Sequence, residues 1–209
     1  MTKLHEEDLV RLSKSIADVG YWCSWTDTDS PTSLQFDFGG VKLYLPPSEG
    51  DNSPSTQLAI RLLHPSMLTF YHRNGNETDW INQLKDDEID PLDIEDKQFS
   101  LSTNLRFPES LNSYTAVEEK FFGPDIPDIQ LLFVAGDIAV RVLAQNVKLY
   151  CEQGEIALES IANLNDKWWS YWKEYWKVKD SPEAFPEDYT CEITQPGEDS
   201  GAPFQHDGA

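Results

Sequence analysis

Between Ser33 and Leu45 the chain reads Ser-Leu-Gln-Phe-Asp-Phe-Gly-Gly-Val-Lys-Leu-Tyr-Leu, two alternating runs on either side of Gly39-Gly40. Glycine reaches the positive φ that two-residue hairpin turns require, so the pattern predicts a β-hairpin. A turn there sets Phe38 opposite Val41, Asp37 opposite Lys42, Phe36 opposite Leu43, Gln35 opposite Tyr44 and Leu34 opposite Leu45. One face is then wholly apolar, and the other carries an Asp-Lys and a Gln-Tyr pair. A slip of one residue would expose every apolar side chain, so the pattern specifies its own register. Such a ribbon is marginal alone and needs further strands and a helical layer over it.

The flanking segments supply both. Leu9, Leu12, Ile16 and Val19 share one stripe of a helix expected over residues 3–19, with Glu6, Glu7 and Asp8 in its first turn and Gly20 as its stop. Tyr21–Thr26, aromatic and short, reads as a strand. The loop 46–56 is followed by Gln57–Leu63 and Leu68–Arg73, which flank His64-Pro65-Ser66-Met67; proline second in that tetrad suits a type I turn and a second hairpin. Thr78–Leu84 fits two helical turns before an acidic run ending at Asp96, and Lys97–Ser102 alternates as a strand. Leu111, Tyr114, Val117 and Phe121 share a helical face that stops at Gly123-Pro124. Leu131–Ala135 fits a buried strand or a helix start. From Asp137 the positions Val140, Leu143, Ala144, Val147, Tyr150 and Cys151 keep helical spacing before Gly154, although Val147–Tyr150 also alternates. Leu158, Ile161, Leu164, Trp168, Trp172 and Tyr175 mark the stripe of a last helix ending near Lys179.

The expected architecture is therefore α+β: an antiparallel sheet of about five strands built from two hairpins, with α-helices packed on its apolar face. Residues 1–179 form one such domain. Residues 180–209, with eight acidic residues, four prolines and no Lys or Arg, form an acidic tail that offers little to offset the entropy of ordering.

Charge narrows the function. Acidic residues outnumber basic ones 37 to 16, for a net charge of −21. Phosphate binding needs clustered Lys and Arg, so nucleic acid and anionic membrane are disfavoured as partners. Three cysteines with no Cys-x-x-Cys spacing suit a reducing compartment rather than a disulfide framework. The first residues lack a signal pattern, and no apolar run nears the roughly 18 residues of a membrane span, so a cytoplasmic protein is expected. An EF-hand loop begun at Asp86 would place Pro91 where glycine is required and Lys97 at the bidentate acid. His64 and His72 are not cross-strand neighbours in the expected hairpin. Neither a Gly-x-Ser-x-Gly elbow nor a glycine-rich phosphate loop occurs. No metal, cofactor or catalytic residue is expected.

The stretch Asp166–Lys179 holds four of the seven tryptophans. A terminal helix that closes the core with its lysines reaching outward explains much of it. Trp169 and Tyr171 nevertheless fall on opposite shoulders of the stripe, giving more aromatic cover than one packing face needs. Trp169, Tyr171, Trp172, Lys173 and Trp176 are thus the candidate partner-binding residues. The expected function is a non-catalytic protein-binding module, inhibitor- or immunity-like, engaging a basic or aromatic-accepting protein. The alternative is an enzyme or small-molecule sensor with a pocket between sheet and helices.

Overall fold

One strand runs unbroken from Leu58 to His72 where the sequence predicts a hairpin. The computed structural model describes residues 5–17, 20–27, 32–50, 53–73, 92–120 and 126–178. In chain order its elements are α1 (Glu6–Ala17), β1 (Tyr21–Asp27), β2 (Ser33–Gly39), β3 (Leu58–His72) and β4 (Leu92–Ser102), then β5 (Thr115–Lys120), β6 (Ile129–Ala135), β7 (Ile138–Cys151), β8 (Gly154–Ile156) and α2 (Ile161–Val178). Short 3-10 turns precede β5 (Glu109–Ser113) and α2 (Leu158–Ser160). The fold is α+β, as expected, with an antiparallel sheet in the order β5-β3-β2-β1-β4-β6-β7-β8 and an additional pairing of β3 with β7.

That extra pairing governs the shape. β3 and β7 pair from Ala59↔Tyr150 to His72↔Ile138. The first half of β3 takes β2 on its other edge and the second half takes β5. Likewise the first half of β7 takes β6, and its last residues take β8. Two long strands therefore belong to both halves of a sheet that curls round on itself, and strands that switch sheets do so at bends and bulges. On β3 the bend is local chemistry. Leu58, Ile60 and Leu62 are buried, then Pro65, then Leu68 and Phe70. His64, at φ 49°, and a bulge between Pro65 and Met67 change the alternation twice. Proline lacks a ladder N–H and is tolerated at bulges; Pro65 stands in the gap between the pairing with β2, which reaches Leu63, and the pairing with β5, which starts at Leu68.

The core lies between the two halves. Trp22, Phe36 and Phe38 from one meet Phe99 and Phe133 from the other; the Phe133 ring centroid is 5.1 Å from Trp22, 5.9 Å from Phe36 and 5.3 Å from Phe38. Edge-on aromatic pairs of this kind add about 0.5–1.5 kcal/mol each beyond the burial itself. Among the described residues β1 and β4 pair at Tyr21↔Asp93 and Trp22↔Leu92. Helix α1 lies along β4. There Ser13 Oγ accepts the Leu101 N–H at 2.9 Å, and Leu9, Leu12 and Ile16 are fully buried.

Several expectations are corrected. Among the described residues the sheet has eight strands rather than about five, and the opposite half of the same sheet covers much of the apolar face. The Gly39-Gly40 hairpin does not form: both edges of β2 are already taken, by β1 and β3, so 41–45 has no edge to pair with. Val41, Leu43 and Leu45 are still buried, but their segment is held elsewhere. The Lys42 N–H donates to the Ser15 carbonyl at 2.9 Å and the Tyr44 N–H to the Leu164 carbonyl at 3.0 Å. The helix expected over 111–121 is instead the 3-10 turn and β5, and the helix expected from Asp137 is β7. Gly136-Asp137 makes a two-residue hairpin loop, with Gly136 at φ 58° as its first position; glycine at that position is a hairpin signal, and it outweighs the helical spacing that follows. The expected helix at Thr78–Leu84, the acidic residues 86–91 and the tail 180–209 lie outside the described residues.

Candidate functional site

The tryptophan-rich helix α2 presents two different faces. Ile161, Trp168 and Tyr171 are buried, and Leu164, Trp172 and Tyr175 are half-buried. Tyr171, placed by the sequence on a shoulder opposite Trp169, is only 4 % exposed and packs on Tyr44 at 5.9 Å. The 41–45 segment brings Tyr44 there, a contact the expected hairpin would not make. On the outer face Trp169 is 51 % exposed and Trp176 57 %. Lys173 is exposed between them. Positions four and seven residues on share one helix face, so these three line up. Trp172 joins the two layers: its ring is 5.6 Å from Trp168, 5.1 Å from Tyr175 and 6.5 Å from Trp176. Lys42 Nζ stands 5.2 Å from the Trp169 ring centroid, a cation–π contact that steadies the indole. Beneath the ridge, Trp172 Nε1 and the Tyr44 hydroxyl are buried without a hydrogen-bond partner among the described residues. Orphans of this kind each cost roughly 1–3 kcal/mol.

A second surface escaped the sequence reading. On the outer side of the β1-β2-β3-β7-β8 half, Ser24 Oγ donates to Asp37 Oδ2 at 2.8 Å and Gln35 Nε2 to Asp37 Oδ1 at 2.9 Å. Arg61 donates to Gln35 Oε1 from Nε at 3.2 Å and from Nη2 at 2.7 Å, and its guanidinium carbon lies 4.4 Å from the Tyr150 ring centroid. The Tyr150 hydroxyl and Lys148 Nζ both donate to Glu155 Oε2, at 3.4 and 2.7 Å. The row therefore crosses five strands. The expected Asp37-Lys42 and Gln35-Tyr44 pairs are replaced, because β1 and β3, not 41–45, flank β2. The parity of Arg61 among Ile60 and Leu62, and of Lys148 and Tyr150 beside Leu149, carried the signal for this row.

Two clefts open on this side. One, of about 360 Å³, is lined by Asp37, Gln57, Arg61, Tyr150, Cys151 and Glu152. The other, of about 480 Å³, lies where the start of α1 meets β7 and β8, with His5, Asp8, Asn146, Lys148, Glu155 and Glu159 around it. There the hydrogen bond from Lys148 holds the Glu155 carboxyl below the usual glutamate range, and Glu155 raises the Lys148 ammonium above the usual lysine range. The outer side of the other half is closed by contrast. Arg141, buried, donates to Gln130 Oε1 at 2.7 Å and to the Leu105 carbonyl at 2.9 Å, with the Phe107 ring over it.

Among the described residues no group of three or more His, Cys, Asp or Glu is placed to hold a metal ion. Among the same residues no helix is long and apolar enough to cross a membrane. Comparison with known protein families, with curated proteins and with solved structures returns no match.

Proposed function

We propose that the chain is a non-catalytic protein-binding module, inhibitor- or immunity-like, whose contact surface is the outer face of α2. The observation that carries this reading is the pair of half-exposed tryptophans on one helix face, Trp169 and Trp176, with Lys173 between them. Tryptophan is the side chain most favoured as an interface anchor, and anchors on a rigid helix lose little entropy on docking. Trp172 supports the ridge from its flank. Tyr171 takes no direct part; it holds α2 against Tyr44. The net charge of −21 adds long-range attraction to a basic protein, faster association and sensitivity to salt.

The test is affinity capture at low salt with the chain as bait, run beside a Trp169→Ser/Trp176→Ser double variant of matched circular dichroism and thermal midpoint. The expected result is retention of a basic protein that elutes as salt rises and is lost from the double variant. Retention by both baits alike, or retention indifferent to salt, overturns the reading.

A further inference from the structure

Arg61 is an anomaly of pairing. In a chain with 37 acidic and 16 basic residues, its guanidinium makes no ion pair among the described residues and is held by an amide oxygen instead. Asp37 stands on the neighbouring strand, two residues along the ladder, opposite Ala59. Gln35 lies between the two charges and keeps them apart: its oxygen accepts from Arg61, and its nitrogen donates to Asp37. Both poles keep spare capacity. A guanidinium has five N–H donors, and a carboxylate accepts about four hydrogen bonds. Arg61 uses two donors on Gln35, and Asp37 accepts one bond from Ser24 and one from Gln35. The Tyr150 ring fixes the plane of the guanidinium. A cation and an anion are thus preset side by side on a rigid sheet and open into one cleft of about 360 Å³.

We infer that this cleft binds a free α-amino acid, its carboxylate on Arg61 and its ammonium on Asp37. Charge selects this class of ligand. A simple anion meets Asp37, Glu152 and the field of a strongly acidic chain, and a simple cation meets Arg61. A zwitterion meets an opposite charge at both ends and leaves the net charge of the site unchanged. Its ammonium nitrogen and carboxylate oxygens are two carbons apart, a longer reach than the single carbon between the oxygen and nitrogen of the Gln35 amide, and the ligand lies alongside that amide with one charged group toward each pole. Planar carboxylate recognition by an oriented guanidinium is the stronger pole, and the ammonium on Asp37 fixes direction.

The inference stands apart from the reading of α2 and is tested separately. Each of the twenty amino acids is titrated into the intact chain by calorimetry, with the Arg61 Nε–H and Tyr150 ring signals followed by NMR. Acetate, methylamine and inorganic phosphate serve as single-charge probes. At least one amino acid should saturate and shift both signals, and acetate, methylamine and phosphate should each bind about tenfold or more weakly than it, in line with the loss of a charge-assisted hydrogen bond. Arg61→Gln and Asp37→Asn should each weaken binding by a similar factor, while Trp169→Ser/Trp176→Ser binds as the parent does. No saturation by any amino acid overturns the inference. So does acetate or phosphate binding as tightly as the best amino acid, or unchanged affinity in either folded variant. Should a variant fail to fold, the comparison of zwitterion with single-charge probes on the parent chain decides alone.

Discussion

Asn165 on α2 donates its side-chain amide to Ser15 Oγ on α1 at 3.1 Å and to the Lys42 carbonyl at 2.9 Å. Three segments far apart in the chain meet at this one amide. The Lys42 N–H, donating to the Ser15 backbone carbonyl, closes the same knot from the other side. The linkage helps explain how 41–45 keeps its buried apolar residues without a full ladder: the two helices accept the Lys42 and Tyr44 N–H groups, while residues 55–56 serve the ends of the segment through the Val41 N–H on the Thr56 carbonyl and the Leu45↔Ser55 bridge.

Asn165→Leu keeps bulk while deleting both donations. It should destabilise the protein by about 1–3 kcal/mol, read from urea unfolding. A change below about 0.5 kcal/mol, the ordinary range for a surface substitution, would show that the knot contributes nothing.

Phe133 touches aromatic rings from both halves of the sheet, with Phe99 stacked at 6.2 Å beside the edge contacts to Trp22, Phe36 and Phe38. Phe133→Ala should cost about 3–5 kcal/mol and weaken the near-ultraviolet dichroism of the core. Phe107, 44 % exposed, should cost far less on the same change. Equal losses at the two sites would contradict the placement of the core between the halves.

Gly20 follows α1 and donates its N–H to the Ile16 carbonyl at 2.8 Å. A Cβ added there would stand 2.3 Å from that carbonyl oxygen, which is backbone and cannot swing away. Gly20→Ala should therefore lower stability by about 1–3 kcal/mol through overpacking, without any appeal to an unusual φ. A thermal midpoint equal to the parent's would refute this.

Lys148 and Glu155 give a pH dependence whose sign follows from their shifts. The Glu155 carboxyl is lowered by the Lys148 hydrogen bond, so its contribution is present above the ordinary glutamate range and is lost as pH falls through the lowered value. The Lys148 ammonium is raised by Glu155, so its contribution is present below the ordinary lysine value and is lost as pH rises through the raised one. Lys148→Met should return the Glu155 carboxyl carbon titration, followed by NMR, to the usual range. The pair lies at the surface, where solvent screens it, and the thermal midpoint should hardly move. A Glu155 titration indifferent to that substitution would contradict the pairing.

Periodicity was enough wherever one element decided its own fate. Leu9, Leu12 and Ile16 specified α1 and the stripe from Ile161 to Trp168 specified α2, because each buries one face of a helix; the aromatic run specified β1 through its strand propensity. The exposed residues Trp169, Lys173 and Trp176 were legible for the same reason. Partnership was not. Whether Val41–Leu45 pairs with β2 depends on β1 and β3 having already taken both edges, and whether Pro65 makes a turn or a bulge depends on where β2 ends and β5 begins. Tyr171 turned inward because Tyr44 arrived beside it, and Arg61 met Gln35 through a pairing of β2 with β3 that no local pattern announces. Side-chain alternation along the chain decides which face of a strand is apolar; which strand lies next to it is decided by competition among edges, and that is settled only when the whole sheet has curled shut.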